Sequence, residues 1–168
     1  IRWYFECHDI HIGMEQIAEV RRVTGGWCGA LYTIVLSLHV HRVQGDTFQS
    51  WENPLLDGYV QKNFWDICTE SEKEIIVKGS LFSYLTVEFV EKVLEISLIP
   101  EKFLHMENIG FLRYDMYEQR YYIEEMVLSF LQRGRKKLTA DEERALLVRA
   151  SRWYDARGDV KETLKCIL

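Results

Sequence analysis

The stretch 108-NIGFLRYDMYEQRYYIEEMVLSFLQRG-134 decides how the rest of the chain is read. Phe111 to Tyr114 and Gln119 to Ile123 are aromatic-rich runs of strand character, separated by the polar Asp115-Met116-Tyr117-Glu118. That pattern predicts a short β-hairpin. Beyond it, Met126, Val127, Phe130 and Leu131 recur at helical spacing and make one apolar stripe. Helices, then a hairpin, then a helix is the order of a winged-helix-type unit.

Working outward towards the N-terminus, Pro100 begins a helix carrying Phe103 and Leu104, and Thr86 caps a shorter one with Phe89, Val90, Val93 and Leu94 inward. Thr69-Glu70-Ser71-Glu72 fits a capping box, in which hydroxyl and carboxylate satisfy each other's orphan backbone N–H groups. The helix it opens carries Ile75, Ile76 and Gly79. Asn53-Pro54 opens another, with proline at its favoured first position, and residues 44–52 (QGDTFQSWE) are the best linker. A long helix is expected from Trp27 to about Arg42 with Leu31, Ile34, Val35 and Leu38 on one face. Before it, Met14 to Val23 form a short helix closed by Gly25-Gly26, a C-cap where φ turns positive. Residues 1–12 (IRWYFECHDIHI) read as an edge strand and its exit.

Towards the C-terminus, Arg133 to Lys137 form a basic linker. Thr139-Ala140-Asp141-Glu142 is a second capping box, opening a helix with Leu146, Leu147, Ala150, Trp153 and Tyr154. Gly158-Asp159 breaks it and Val160 to Leu168 begin one more. This final pair resembles one unit of an α-helical repeat array.

The 168 residues, 48% of them hydrophobic and 13% aromatic, can bury a real core and are not those of a disordered chain. The longest nearly apolar run, Trp27 to Leu38, is too short to span a bilayer, and no secretory signal pattern opens the sequence. It begins at Ile1 inside a strand-like run, the mark of a piece excised from a longer protein. A net charge of −5 weighs against a principal nucleic-acid binder. Cys7, Cys28, Cys68 and Cys166 are widely spaced, as reduced thiols of a cytoplasmic protein are.

No G-x-x-x-x-G-K-[ST] loop is present, so the chain cannot hydrolyse ATP alone. Gly25-Gly26 suits a helix C-cap better than a phosphate loop. Cys7, His8 and His11 lack the second Cys/His pair that zinc needs, and His39 and His41 point to different sides of a helix. There is no nucleophile elbow. The run 132-QRGRKK-137, with Arg113 and Arg120, is the one feature favouring nucleic acid, against a solvated linker. Trp3, Tyr4 and Phe5, like Tyr114, Tyr117, Tyr121 and Tyr122, read as core cover and cross-strand pairs before a base-stacking platform.

Three stretches together resemble one family. These are 9-DIHIGMEQI-17 with 24-TGGWCGALYTIVLSL-38, then 110-GFLRYDMYEQRYYIEEMVLSFL-131, then 145-ALLVRASRWYDARGDVKETLKCIL-168. In order and spacing they are similar to the large ATP-binding LuxR-type transcription regulators, maltose-regulon-activator-like members of the STAND signalling ATPases. The resemblance implies a mainly α fold: a small helical domain, a winged helix with a short hairpin, and a TPR-like helical hairpin. It implies residues 1–45 as the end of the nucleotide-binding and helical lid region, 46–135 as the winged helix, and 136–168 as the first helices of the sensor array. The partners implied are an N-terminal P-loop domain holding ATP or ADP, further C-terminal repeats, an inducer, and DNA reached through a separate helix-turn-helix. No membrane, no metal and no catalytic residue are implied for this piece, although the whole protein would be a slow signalling ATPase. Gly26 and Trp27 match the family's nucleotide-facing loop. Cys28 stands where the family has proline, and Glu124 where its histidine faces the phosphates. A carboxylate there would be repelled by roughly 1–4 kcal/mol at about 4 Å, depending on the effective dielectric.

Overall fold

Residues 1–44, 54–97, 100–133 and 138–168 are described by the structure, a computed structural model. They form ten α-helices and one two-stranded antiparallel sheet, so the described chain is mainly α with a short β-hairpin. The expected linker lies outside the described residues apart from Gln44, as do Asn53, positions 134–137 of the basic run, and the boundaries at 45/46 and 135/136. Two compact units are present: Ile1–Ile67 with Glu125–Arg133, and Cys68–Glu124 with Gly134–Leu168.

The first unit begins with a correction. Arg2–Glu6 is not a strand but a short helix, α1. A strand needs a neighbour for its backbone groups, and among the described residues the only sheet is the hairpin far along the chain. A helix closes its bonds locally instead, with Phe5 N–H to Ile1 O at 3.1 Å and Cys7 N–H to Trp3 O at 3.0 Å. That turn places Phe5 in the core and leaves Trp3 exposed.

Next come α2, Met14–Thr24, and α3, Cys28–Gln44. Leu31, Ile34 and Val35 of α3 are buried, with Leu38 half-buried at the edge of that face. A fourth helix, α4, spans Pro54–Asn63 with proline at its first position and runs into a 3₁₀ turn at Trp65–Ile67. Gly29 of α3 lies against Tyr59 of α4: a Cβ there would overlap the Tyr59 hydroxyl and lie 2.5 Å from ring carbons Cε2 and Cζ. The unit is completed from the far side of the hairpin by α8, Glu125–Gln132. Its stripe of Met126, Val127 and Phe130 is fully buried, each side chain contributing about 2 kcal/mol. Phe130 packs on Trp65 with ring centroids 5.7 Å apart. Both ends of α8 are ion-paired, Glu125 to Arg22 at 3.1 Å and Arg133 to Asp57 at 2.6 Å.

The second unit holds α5 (Glu70–Gly79), α6 (Val87–Lys92), α7 (Pro100–Asn108), β1 (Leu112–Asp115) and β2 (Arg120–Ile123). Between α5 and α6, Leu85 bridges to Tyr121 of β2 through two backbone bonds of 2.8 Å, a one-residue third strand. The bridge extends the hairpin by one residue pair, and the order along this part of the chain is helix, bridge, helix, helix, hairpin. The hairpin pairs Leu112 with Ile123 and Asp115 with Arg120. Tyr114 stacks across it on Tyr121 at 4.6 Å, and Phe103 covers Tyr121 from α7 at 4.3 Å. Ile75, Ile76, Phe89, Leu94, Phe103 and Met106 form the core of this part.

Two further helices, α9 (Ala140–Asp155) and α10 (Val160–Ile167), pack as a pair. Asp159 joins them to the 81–86 segment: Oδ1 accepts from Glu162 N–H at 3.3 Å and Oδ2 from the Tyr84 hydroxyl at 3.1 Å. Both capping boxes form as the spacing predicts, Thr69 with Glu72 and Thr139 with Glu142.

Candidate functional site

Gly26 and Trp27 sit at the α2–α3 corner of the first unit. Here α2 ends because Gly25 (φ 59°) and Gly26 (φ 80°) are both left-handed, a conformation that costs a residue with a Cβ about 1 kcal/mol or more each. Thr24 ties the turn together. Its hydroxyl donates to Val20 O at 2.6 Å and accepts from Gly26 N–H at 3.2 Å, while its carbonyl accepts from Trp27 N–H at 3.1 Å. The amides of Gly26 and Trp27 are thus consumed inside the turn and cannot cradle a phosphate. What the corner offers is a surface: nothing lies within 4 Å of a Cβ built on Gly26. The Trp27 indole is 37% exposed and braced edge-on by Phe64 at 5.4 Å. An exposed, braced indole can stack on a planar base.

Glu124 lies in the second unit, on the one residue between β2 and α8. Its N–H donates to Phe111 O at 3.0 Å and its carboxylate is 3.6 Å from Arg113 Nε. Burial pushes the Glu124 carboxyl above its usual range, with Arg113 opposing. Arg113 also lies over the Tyr122 ring, and Arg120 lies 3.8 Å over Tyr84 and 3.6 Å from Glu118. Both hairpin arginines are thus committed within the unit.

In the winged-helix unit expected from the sequence, the helix before the hairpin would be the one laid in a DNA groove. On α7 the exposed residues are Pro100, Glu101, Leu104, His105 and Asn108, and Lys102 is bonded to Ser71 Oγ at 2.5 Å. That surface is poorly suited to phosphates. The hairpin tip exposes Met116 and Tyr117 above an Asp115 whose Oδ1 accepts from Tyr117 N–H and Glu118 N–H at 2.9 and 3.0 Å. Those bonds, Glu118's first, hold the Asp115 carboxyl below its usual range.

Cys68 provides no nucleophile. Burial, with the Glu72 charge adding, pushes the Cys68 thiol up to about 12, so it stays protonated and inert at neutral pH. Among the described residues no three His, Cys, Asp or Glu side chains are grouped to hold a metal. No described helix is long and apolar enough to cross a membrane.

The second unit also brings together residues that the sequence did not nominate. Arg157 stacks 3.8 Å over Trp153 and pairs with Glu88 at 2.6 Å. The only advance signal was the four-residue spacing of Trp153 and Arg157 on one helix end. Comparison of the chain with protein-family models, curated proteins and solved structures finds no match.

Proposed function

We propose that the chain is the central regulatory segment of an ATP-dependent LuxR-type transcription activator of the STAND class. It couples nucleotide state and inducer sensing to promoter binding by a separate C-terminal helix-turn-helix. The observation that carries this reading is the run from hairpin to α8. β2 ends at Ile123 and α8 begins at Glu125, so a single residue, Glu124, stands between the wing and a helix anchored in the other unit by a buried stripe and two ion pairs. Displacement of the wing is therefore delivered to α8 without a slack linker, which is what a switch segment requires. The segment itself has no catalytic role. ATP or ADP is held by a preceding P-loop domain, and the sensor repeats follow α10, in the cytoplasm.

The exposed Trp27 indole beside Gly26 suits the base of a nucleotide. The half-buried Glu124 carboxylate does not suit phosphate unless it is protonated or neutralised by Arg113, so the phosphate contact of the family is altered here. The test is to titrate the protein carrying its P-loop domain with ADP and ATP, following the thermal midpoint beside a Glu124→His variant. The expected result is a rise with nucleotide that is larger in the variant. No shift in either protein overturns the reading and leaves a winged-helix module binding protein or DNA by itself. Salt-dependent DNA affinity of this chain would identify the latter.

A further inference from the structure

We infer that the cleft between the hairpin and the end of α9 binds a small aromatic carboxylate, with the acid on Arg157 and the ring against Tyr114 and Tyr121. The cleft lies wholly within the second unit, has a volume of about 420 Å³, and is lined by Glu88, Tyr114, Gln119, Tyr121, Trp153 and Arg157 among others. That volume is at the small end of ligand sites and suits a single-ring acid.

The chemistry of the walls selects the ligand. A guanidinium carries five N–H donors. Arg157 donates from Nη1 to Trp153 O at 3.3 Å and from Nη2 to Glu88 Oε2 at 2.6 Å, which leaves donors with no protein partner. Stacking on Trp153 at 3.8 Å holds the fork still, so little ordering remains to be done when an acid arrives. Glu88 is different, because each of its oxygens is engaged, Oε1 by Lys92 at 2.8 Å and Oε2 by Arg157. With both Glu88 oxygens engaged, the remaining Arg157 donors are what the wall offers a ligand, and they favour an anion. A cationic ligand in an aromatic cage is disfavoured for the same reason, since Arg157 already covers the Trp153 face.

The opposite wall is aromatic. Tyr114 and Tyr121 lie 4.6 Å apart with their planes 39° from each other, and Phe103 backs Tyr121. Offset stacking on such a pair rewards a flat ring over an aliphatic one. Gln119, left-handed at φ 53° where it closes the hairpin turn, lines the rim of the cleft. A bound acid would join the hairpin to α9 and stabilise this unit. The inference does not depend on the regulator reading.

The experiment titrates the full chain, labelled with ¹⁵N, with benzoate, following the Trp153 indole N–H and the Gln119 side-chain amide. Benzamide supplies the ring without the charge, and cyclohexanecarboxylate the charge without the aromatic face. Arg157→Met removes the acid partner, and Arg157→Lys keeps the charge in a chain that folds should the first variant not. Saturable shifts are expected at both reporters with benzoate, weakened about tenfold or more for each control probe and for Arg157→Met, and several-fold for Arg157→Lys. Equal affinity for the three probes, unchanged affinity in both variants, shifts confined to other residues, or no saturation by about 20 mM would each overturn the assignment.

Discussion

Glu72 and Glu142 occupy the same position in two capping boxes with the same geometry, and their removal should cost different amounts. In each box the glutamate Oε2 accepts from the threonine N–H and hydroxyl at 2.8 Å, and the threonine hydroxyl accepts from the glutamate N–H at 3.3 Å. Glu72 is 2% exposed and its second oxygen accepts from His105 Nδ1 at 2.7 Å, whereas Glu142 is open to water. Glu72→Ala deletes the carboxylate's half of the box, about 1 kcal/mol, and the charge-assisted bond from His105, about 1.5 kcal/mol because His105 is itself half-exposed. Lost packing of the buried stem brings the total to about 3 kcal/mol. Glu142→Ala should cost distinctly less, since water replaces every bond it loses. Urea unfolding at pH 7, followed by helix circular dichroism, gives both differences, and a double-mutant cycle with His105→Ala should recover about 1 kcal/mol of coupling for Glu72. Equal costs for the two glutamates would show that burial adds nothing to a helix cap in this protein. The acid limb supplies a second check. Burial pushes the Glu72 carboxyl up, but bonds from Thr69 and His105 outweigh it, and the net direction is downward. A lowered carboxyl contributes stability that is complete above its unfolded value of about 4.3 and disappears as pH falls through the lower folded value. Glu72→Gln should therefore flatten the acid-unfolding curve below about pH 4.3.

Three further outcomes follow from single contacts. Tyr154 is fully buried and its hydroxyl has no hydrogen-bond partner, so Tyr154→Phe should be neutral or stabilising by about 1 kcal/mol. A clear loss of stability on chemical unfolding would mean that the hydroxyl is satisfied after all. Gly29→Ala should destabilise by about 1–3 kcal/mol through its overlap with Tyr59, and Tyr59→Ser should remove most of that cost in the double variant; an undiminished cost would refute the overlap. Burial, opposed by Arg113, raises the Glu124 carboxyl, so its contribution to stability is complete below the unfolded value and lost as pH rises through the folded one. Glu124→Gln should accordingly be more stable than the parent at pH 7, with the advantage shrinking towards pH 4; urea midpoints across that range decide it.

Elements whose bonds close within a few residues were legible from sequence alone. Thr69–Glu72 and Thr139–Glu142, the Gly25 cap, Pro54 and Pro100 at helix starts, and the hairpin all lie where spacing puts them. The exception, Arg2–Glu6, failed because aromatic composition favours a strand only when a neighbouring strand is available to receive its backbone. Of the candidate site, the left-handed turn at Gly25-Gly26 was readable from glycine chemistry. That Thr24 consumes the turn's amides, and that Phe64 braces Trp27, was not.

What the sequence determined by itself is the set of local elements and their order, because caps, turns and amphipathic stripes are short-range chemistry. What the tertiary structure decided is how distant residues share a location. It made Glu72 buried and Glu142 exposed in two boxes of one pattern. It drew α8 back to the first unit, where Glu125 meets Arg22 across 103 positions of chain, and it set Arg157 between Trp153 and Glu88. Burial and ion pairing of that kind depend on which surfaces meet, and no period or spacing within a single helix carries that information.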